Sequence, residues 1–188
     1  MKTKLKITCI IIFALFITGC DQEEQSPEEQ SPVQEQETTR DVINQTYPQA
    51  QAEVLATFGE IAQSITAGAG HGYNGVYMDQ LISFHGYGDK FVEFNGGQSY
   101  DSAGNEHNER QLFGEDIEID GVIQFAPIEG TLKVAVYYGN VANVTFISDF
   151  ILMHKQYGQI TVNNLITLLF VKTRGEWKLV HEHHSPVN

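Results

Sequence analysis

Apolar positions in the first half of the folded region recur with a helical period. Pro48 suits the first turn of a helix, which ends near Gly68. A glycine-rich break follows, and the pattern then predicts a short aromatic helix over residues 73–84, a strand over 90–94 and a third helix over 102–113. The stripe that the first helix buries consists of Val54, Leu55, Phe58, Ile61, Ala62 and Ile65.

From residue 117 onward the pattern changes to that of strands. Apolar and β-branched residues alternate with polar ones or form short runs. Gly139-Asn140 and Tyr157-Gly158 supply turns between the runs. Helices followed by a series of antiparallel strands are typical of an α+β domain. The predicted strands cover residues 117–125, 132–138, 141–154, 160–171 and 177–183.

The last predicted strand carries the histidines that we consider first for function. Side chains alternate across a strand, so Trp177, Leu179, His181 and His183 are predicted to share one face. Lys178, Val180, Glu182 and His184 then share the other. We expect the face with Trp177 and His181 to form a pocket wall.

Two of the predicted strands are apolar on both faces. In residues 141–154 and 160–171, apolar side chains occupy odd and even positions alike. Helices that cover one side of a sheet leave the other side to be polar or covered by something else. The second apolar face must therefore be covered by something else, and loops of the same chain are one way to cover it.

The N-terminus has the composition of an export signal. Residues 1–6 carry three lysines and no acid, and an apolar run follows over residues 7–17. The run is shorter than the roughly 20 residues of a membrane span, although a buried helix or a span is the alternative interpretation. Residues 17–20 end in Gly19-Cys20 and resemble a bacterial lipobox. We expect a signal peptide over residues 1–19 and lipidation at Cys20, which leaves no cysteine for a disulfide.

This anchor predicts a location in the bacterial cell envelope, on the periplasmic or extracytoplasmic side of a membrane. Asp21 resembles an inner-membrane retention signal, which is relevant for a Gram-negative source. Residues 20–39 include seven acids and no base, and they predict a disordered tether or, alternatively, an acidic binding arm. Loss of residues 1–19 leaves 8 basic against 24 acidic residues, a balance of −16. Such a charge repels phosphate backbones, so we expect no nucleic-acid partner.

Residues 40–188 have the size of one domain. Their ending, residues 175–186 (GEWKLVHEHHSP), resembles the closing strand of SnoaL-like proteins in the nuclear transport factor 2-like superfamily, and the resemblance extends from about Tyr47 to Pro186. It implies a cone-shaped, curved antiparallel sheet wrapped around the N-terminal helices, and a homodimer. The superfamily includes isomerase-like and cyclase-like enzymes as well as binding and oligomerisation modules, so no single reaction is implied.

His181 and His183 also form a His-x-His pair, which suits a transition metal when further ligands are present. The third ligand would come from His85, His154, Glu93 or another residue distant in the sequence. The alternative is that His181 hydrogen-bonds inside the pocket while His183 is solvated. We prefer this second interpretation and predict no metal and no cofactor.

A second group of candidates follows the second helix. The resemblance implies that the pocket mouth lies near His85, Tyr87, Asp89 and Glu93, and that a carboxylate there is the general base of isomerase-like members. An acid that faces an apolar cavity is suited to proton transfer because its charged form is disfavoured. Gly86 and Gly88 mark a turn, where acids are usually solvated.

A third group lies in the third predicted helix, where acids and bases alternate as on an exposed salt-bridged face. Its members are Asp101, Glu106, His107, Glu109 and Arg110. Arg110 is one of few bases in the domain, and we consider it a ligand for a carboxylate, either of a bound molecule or of Glu93.

The sequence therefore favours a small-molecule-binding protein over an enzyme. The predicted pocket residues are Trp177, His181, His183, Tyr87, Glu93 and Arg110, and the ligand is a small hydrophobic or amphipathic molecule. The alternative is an enzyme of the isomerase, cyclase or hydratase type with a His/Asp proton-transfer pair. Its candidate catalytic residues are His181, Asp89 and His85. Steroid-type isomerisation fits poorly because the first helix lacks the tyrosine that donates to the oxyanion.

Overall fold

The computed structural model describes residues 43–187. In this part of the chain, the helices lie N-terminal to the long strands of the sheet. The Asp101 carboxylate caps the third helix by accepting a hydrogen bond from the Gly104 amide at 2.9 Å. This helix continues directly into a π-helical segment, so the predicted third helix is confirmed but changes its winding at Arg110. The helices are α1 (Pro48–Gly68), α2 (Val76–Ser83), α3 (Ser102–Glu109) and the π-helical segment (Arg110–Asp116).

Within residues 43–187, eight strands form one curved sheet, which confirms the predicted α+β class. Its pairs are antiparallel except that the first strand runs parallel to the last, so the sheet is mixed rather than wholly antiparallel. The main strand order is β2-β1-β8-β7-β5-β3. The strands are β1 (Val92–Asn95), β2 (Gln98–Tyr100), β3 (Ile117–Pro127), β4 (Lys133–Tyr137), β5 (Val141–His154), β6 (Gly158–Val162), β7 (Asn164–Thr173) and β8 (Glu176–Pro186).

β5 is the longest strand and organises the sheet. Its first half pairs with β4 and β7, and its second half pairs with β3 and β6. The predicted strand over residues 160–171 is therefore two strands, which meet at Asn163. The Asn163 side chain donates to the Ser148 carbonyl at 2.8 Å, and the buried Ser148 hydroxyl accepts from the Asn164 amide at 3.0 Å. These bonds satisfy the backbone where the sheet bends.

The core lies between α1 and the concave face of the sheet. The predicted stripe of α1 is largely confirmed, since Val54, Phe58, Ile61 and Ile65 are buried. The Phe58 ring meets the Phe146 ring of β5 edge to face, with centroids 5.0 Å apart. Each such side chain contributes roughly 1.5–3 kcal/mol by its removal from water.

A bulge in β8 changes which of its side chains face the core. Phe170 of β7 pairs with Leu179, and the residue before it, Leu169, pairs with His181. Val180 is therefore an extra residue on β8. The bulge lies where β8 changes its neighbour: the Leu179 backbone bonds to the Phe84 carbonyl and the Gly86 amide, and β1 begins to pair at His181. A Cβ on Gly86 would lie 2.9 Å from the Val180 side chain, so glycine is required there.

The alternation predicted for the last strand is therefore wrong beyond Val180. Leu179, Glu182 and His184 face the core, because they pair with the inward residues of β7. His181 and His183 lie on the outer face, where their rings contact Phe94 of β1 with centroids 5.9 and 6.5 Å apart. Alternation could not reveal this, because one extra residue shifts the phase of every later position.

The outer face of the sheet carries the second apolar set that the sequence predicted. Leu165 is 48 % exposed and Phe94 is 47 % exposed in the structure of residues 43–187. Ile147, Leu169 and Val171 are half-buried on the same side. Loops within the described part of the chain therefore do not cover this face.

The predicted export signal, the lipidated Cys20, Asp21 and the acidic tether lie outside the described residues and remain predictions. Among residues 43–187, no helix is both long enough and apolar enough to cross a membrane.

Candidate functional site

A cavity of about 280 Å³ lies between the helices and the concave face of the sheet. Phenylalanines from α1, β3 and β5 and aliphatic residues of β6 and β7 form most of its wall. Its polar wall residues include His85, Glu109, Glu182 and His184. The volume is close to the lower end of the range of small-molecule pockets.

Glu182 is the centre of a buried polar cluster at this cavity. Its Oε1 lies 3.0 Å from His85 Nε2 and accepts a hydrogen bond from the Asn105 side chain at 3.3 Å. Its Oε2 lies 3.3 Å from His184 Nε2. Glu182 is only 5 % exposed, and a buried carboxylate of this kind requires such partners.

His85 connects this cluster to α2. Its Nδ1 lies 3.0 Å from the Leu81 carbonyl, which can only accept, so Nδ1 carries a hydrogen. Its Nε2 shares one further hydrogen with Glu182, either as an imidazolium beside a carboxylate or as a neutral ring beside a carboxylic acid. The ring stacks on Tyr87 with centroids 5.0 Å apart, which fixes its orientation.

A second layer of hydrogen bonds supports the first. Asn105 of α3 donates to Glu93 at 3.0 Å as well as to Glu182, and its Oδ1 accepts from the Tyr87 hydroxyl. The other oxygen of Glu93 accepts from Asn95 at 3.0 Å. Asn105 therefore donates hydrogen bonds to two buried carboxylates and lies between them. Within residues 43–187, the hydrogen bonds and ion pairs of these carboxylates involve no lysine or arginine.

The two carboxyl groups that line the cavity are shifted in opposite directions. Burial alone would raise the pKa of Glu182, but hydrogen bonds from His184 and His85 and their charge hold the pKa below its usual range. Burial raises the pKa of Glu109 well above its usual range, and the charges of Glu182 and Glu93 add to this effect. Burial also raises the pKa of Tyr87, so that its hydroxyl remains a donor.

The structure separates the residues that the sequence predicted for the pocket. His85 lines the cavity, and Tyr87 and Glu93 lie in the second layer behind it. Trp177 is buried away from the cavity wall, and its indole donates to Glu53 at 3.3 Å. His181 and His183 lie on the opposite face of β8.

The remaining candidates do not make the contacts with a ligand or a metal that the sequence suggested. Arg110 binds Asp79 and Glu106, both at 2.9 Å, and the Tyr73 carbonyl at 3.0 Å; it contacts neither Glu93 nor the cavity. Asp89 is exposed in the turn after α2. The structure of residues 43–187 contains no set of three histidine, cysteine or acidic side chains arranged to hold a metal, and His154 lies on the cavity wall.

Sequence reasoning missed Glu182, His184, Asn105 and Glu109 as site residues. Glu182 and His184 were assigned to the wrong face because of the bulge at Val180. Glu109 was assigned to an exposed salt-bridged face, yet its side chain lines the cavity. The sequence does not indicate that Glu109, which is next to Arg110, points to a different side of the helix.

Comparison with known proteins agrees with this architecture. The model of the SnoaL-like domain matches residues 54–188. Similar solved structures include a candidate dehydratase of the nuclear transport factor 2-like family from Streptomyces avermitilis (TM-score 0.60, 17 % identity, 76 % of this chain and 99 % of that chain covered). A nuclear transport factor 2-like superfamily protein from Salmonella enterica serovar Typhimurium gives a TM-score of 0.57 at 14 % identity, with 74 % and 92 % covered.

The CaMKII hub homology domain of Chlamydomonas reinhardtii is also similar, with a TM-score of 0.56, 20 % identity, and 74 % and 99 % of the two chains covered. No curated protein sequence matches the chain. At these identities the likeness between structures shows the fold alone, which is that of the nuclear transport factor 2-like superfamily. Within that class, the chain belongs to the SnoaL-like domain family.

Proposed function

We propose that this protein binds a small hydrophobic or amphipathic molecule in the cavity and does not catalyse a reaction on it. The observation that carries the proposal is the apolar cavity of about 280 Å³ with the Glu182 cluster in its wall. The phenylalanine and aliphatic wall would remove the apolar body of a ligand from water. The buried polar groups would hold its polar end in one orientation.

The hydrogen bonds of Glu182 favour binding over proton transfer. Both of its oxygens already have partners, and its lowered pKa makes it a weak base. Among the candidates for a proton-transfer pair, His85 lines the cavity but Asp89 and His181 do not. The predicted His/Asp pair therefore has no geometric support.

Glu109 supports a second candidate function, proton transfer to or from a bound molecule. An acid with a raised pKa on the wall of an apolar cavity is suited to this role. Two similar structures are named as a candidate dehydratase from Streptomyces avermitilis and a candidate aromatic ring hydroxylase from Novosphingobium aromaticivorans. Turnover of a carbonyl or hydroxyl compound that disappears in Glu109→Gln would establish this alternative over the binding proposal.

The binding proposal is tested by calorimetric titration of the full-length chain with 1-hexanol, a neutral amphipathic probe. Ile166→Trp fills the cavity, because Ile166 is buried on its wall. Leu165→Trp on the outward face of the same strand is the matched control. We expect binding to the wild type and to Leu165→Trp, and loss of binding in Ile166→Trp. Equal binding by the two variants would show that the cavity is not the site.

The location in the envelope is part of the same proposal. Cys20 would carry the lipid that holds the chain at a membrane, with residues 21–39 as the tether between lipid and domain. Incorporation of labelled palmitate into the wild type, but not into Cys20→Ala, would support this. An unlabelled wild-type chain in a bacterial host would contradict it.

The homodimer is also proposed, and the exposed apolar outer face supports it. Leu165 and Phe94 lie on that face with about half of their surface open to solvent. Similar structures include CaMKII association and hub homology domains, which is compatible with assembly of this chain with itself. Sedimentation velocity should show a dimer that Leu165→Glu dissociates. A wild-type monomer would contradict this part of the proposal.

A further inference from the structure

Glu109 is a carboxyl group on the cavity wall that has no hydrogen-bond or ion-pair partner among residues 43–187. It is the last residue of α3. The guanidinium of the following residue, Arg110, is held by Asp79 and Glu106 and does not reach it. Glu109 is half-buried, and an unpaired carboxyl group on a mostly apolar wall suggests that a partner arrives with the ligand.

Among the acids around Glu109, the other two have hydrogen-bond partners within the protein. Both oxygens of Glu93 accept hydrogen bonds from amide groups of Asn95 and Asn105. Glu182 meets His85 and His184. Glu109 is therefore the carboxyl group on this wall that is left for a ligand.

The unpaired carboxyl group indicates which ligand group would complement this wall. Burial and the charges of Glu182 and Glu93 raise the pKa of Glu109. A cationic group on a ligand would offset the charge of an ionised Glu109 and add the contacts of its apolar body. Lysine and arginine are absent from the described cavity wall, and two of its histidines, His85 and His184, already face Glu182.

We infer that the cavity selects a small apolar molecule with a protonated amino group, and that Glu109 is the residue that binds this group. The inference rests on the proposed binding function and names its ligand class. The ammonium group would donate to the Glu109 carboxylate while the hydrocarbon body lies against the phenylalanine wall. Hydrogen bonds between charged partners are typically worth enough to produce a preference of about 10-fold to 100-fold over a neutral analogue.

The test compares hexylamine with 1-hexanol and 2-heptanone by calorimetry on the full-length chain at pH 7. We expect hexylamine to bind at least about tenfold more tightly than either neutral probe. Hexylamine is protonated in solution, so its partner is the ionised form of Glu109, and any proton that Glu109 carries leaves on binding. Titrations in two buffers of different ionisation enthalpy measure this release, which 1-hexanol should not cause.

Glu109→Gln keeps the shape of the side chain and removes its charge. In this variant the preference for hexylamine over 1-hexanol should disappear, together with any proton release. Glu129→Gln removes the same charge from an exposed loop position and should leave all three affinities unchanged. Thermal unfolding of each variant checks that it is folded.

The outcomes separate this inference from the proposed function. Binding of 1-hexanol with no preference for hexylamine would overturn the inference and leave the binding function intact. A preference for 2-heptanone that Glu109→Gln abolishes would also overturn it, because Glu109 would then act as a donor to a carbonyl. Failure of all three probes to bind would overturn both proposals.

Discussion

The two faces of β8 present the same residue type in opposite environments. On the inner face His184 joins His85 around the buried Glu182, and each ring meets a carboxylate oxygen within 3.3 Å. On the outer face His181 and His183 contact the half-exposed ring of Phe94. Four histidines near one strand thus divide into two that meet the buried Glu182 and two that contact Phe94.

The difference shows that the environment of a histidine, more than its spacing in the sequence, determines its chemistry. His181 and His183 have the His-x-His spacing that suggests a metal site, yet they lie outside the cavity. His85 and Glu182 are 97 residues apart in sequence and meet in the core. Removal of charge from the inner face should therefore affect folding and binding far more than the same change on the outer face.

The largest effect on stability is expected for Glu182→Ala. This variant leaves His85 buried without its partner, and the loss of one member of a buried charged pair costs roughly 3–5 kcal/mol. Urea unfolding of the full-length chain measures the change. His183→Ala on the outer face is the control and should change the free energy of unfolding by less than about 0.5 kcal/mol. Similar losses for both variants would remove the distinction between the faces.

A smaller effect is expected from pH, with opposite signs for the two cavity carboxyl groups. The pKa of Glu182 is lowered in the folded state, so its contribution to stability is complete above the ordinary value of 4.5 and is lost as the pH falls through the folded value. The pKa of Glu109 is raised, so its contribution is present below 4.5 and is lost as the pH rises through the folded value.

Glu109→Gln should therefore gain stability relative to the wild type as the pH rises from 5 to 8, because the wild type loses the contribution of the raised pKa over that range. Urea unfolding at the two pH values measures this gain. Glu129→Gln should show no such difference. A gain that is independent of pH would mean that Glu109 is ionised throughout.

The smallest effect is expected for Tyr87→Phe in the second layer. Its hydroxyl donates to Asn105, so the variant leaves the Asn105 Oδ1 without a donor at a cost of about 1 kcal/mol. Tyr157→Phe, at a ring that is 67 % exposed, is the control and should be close to neutral. Thermal or urea unfolding measures the loss of stability in each variant. Equal losses in Tyr87→Phe and Tyr157→Phe would show that the hydrogen bond to Asn105 contributes little.

Much of the fold could be predicted because its signals are local. The stripe from Val54 to Ile65 gave α1, the alternating runs after residue 117 gave the sheet, and the ending over residues 175–186 indicated the family. The parallel pairing of β1 with β8 was missed, because pairing between strands distant in sequence leaves no local pattern.

The site was less predictable, for two physical reasons. The bulge at Val180 adds one residue to β8 and reverses the faces of Glu182, His183 and His184, although the sequence around it remains alternating. The direction of Glu109 depends on how α3 packs on the cavity. The expected ion pair between Glu106 and Arg110 does form, although Arg110 is buried.

Native mass spectrometry of the gently purified full-length chain shows whether the cavity holds a ligand, since it detects a retained molecule and compares the two faces of the sheet in one experiment. We expect an additional organic mass on the wild type that persists in Leu165→Trp and is absent from Ile166→Trp. Retention of that mass by Ile166→Trp would place the ligand outside the cavity and overturn the binding proposal.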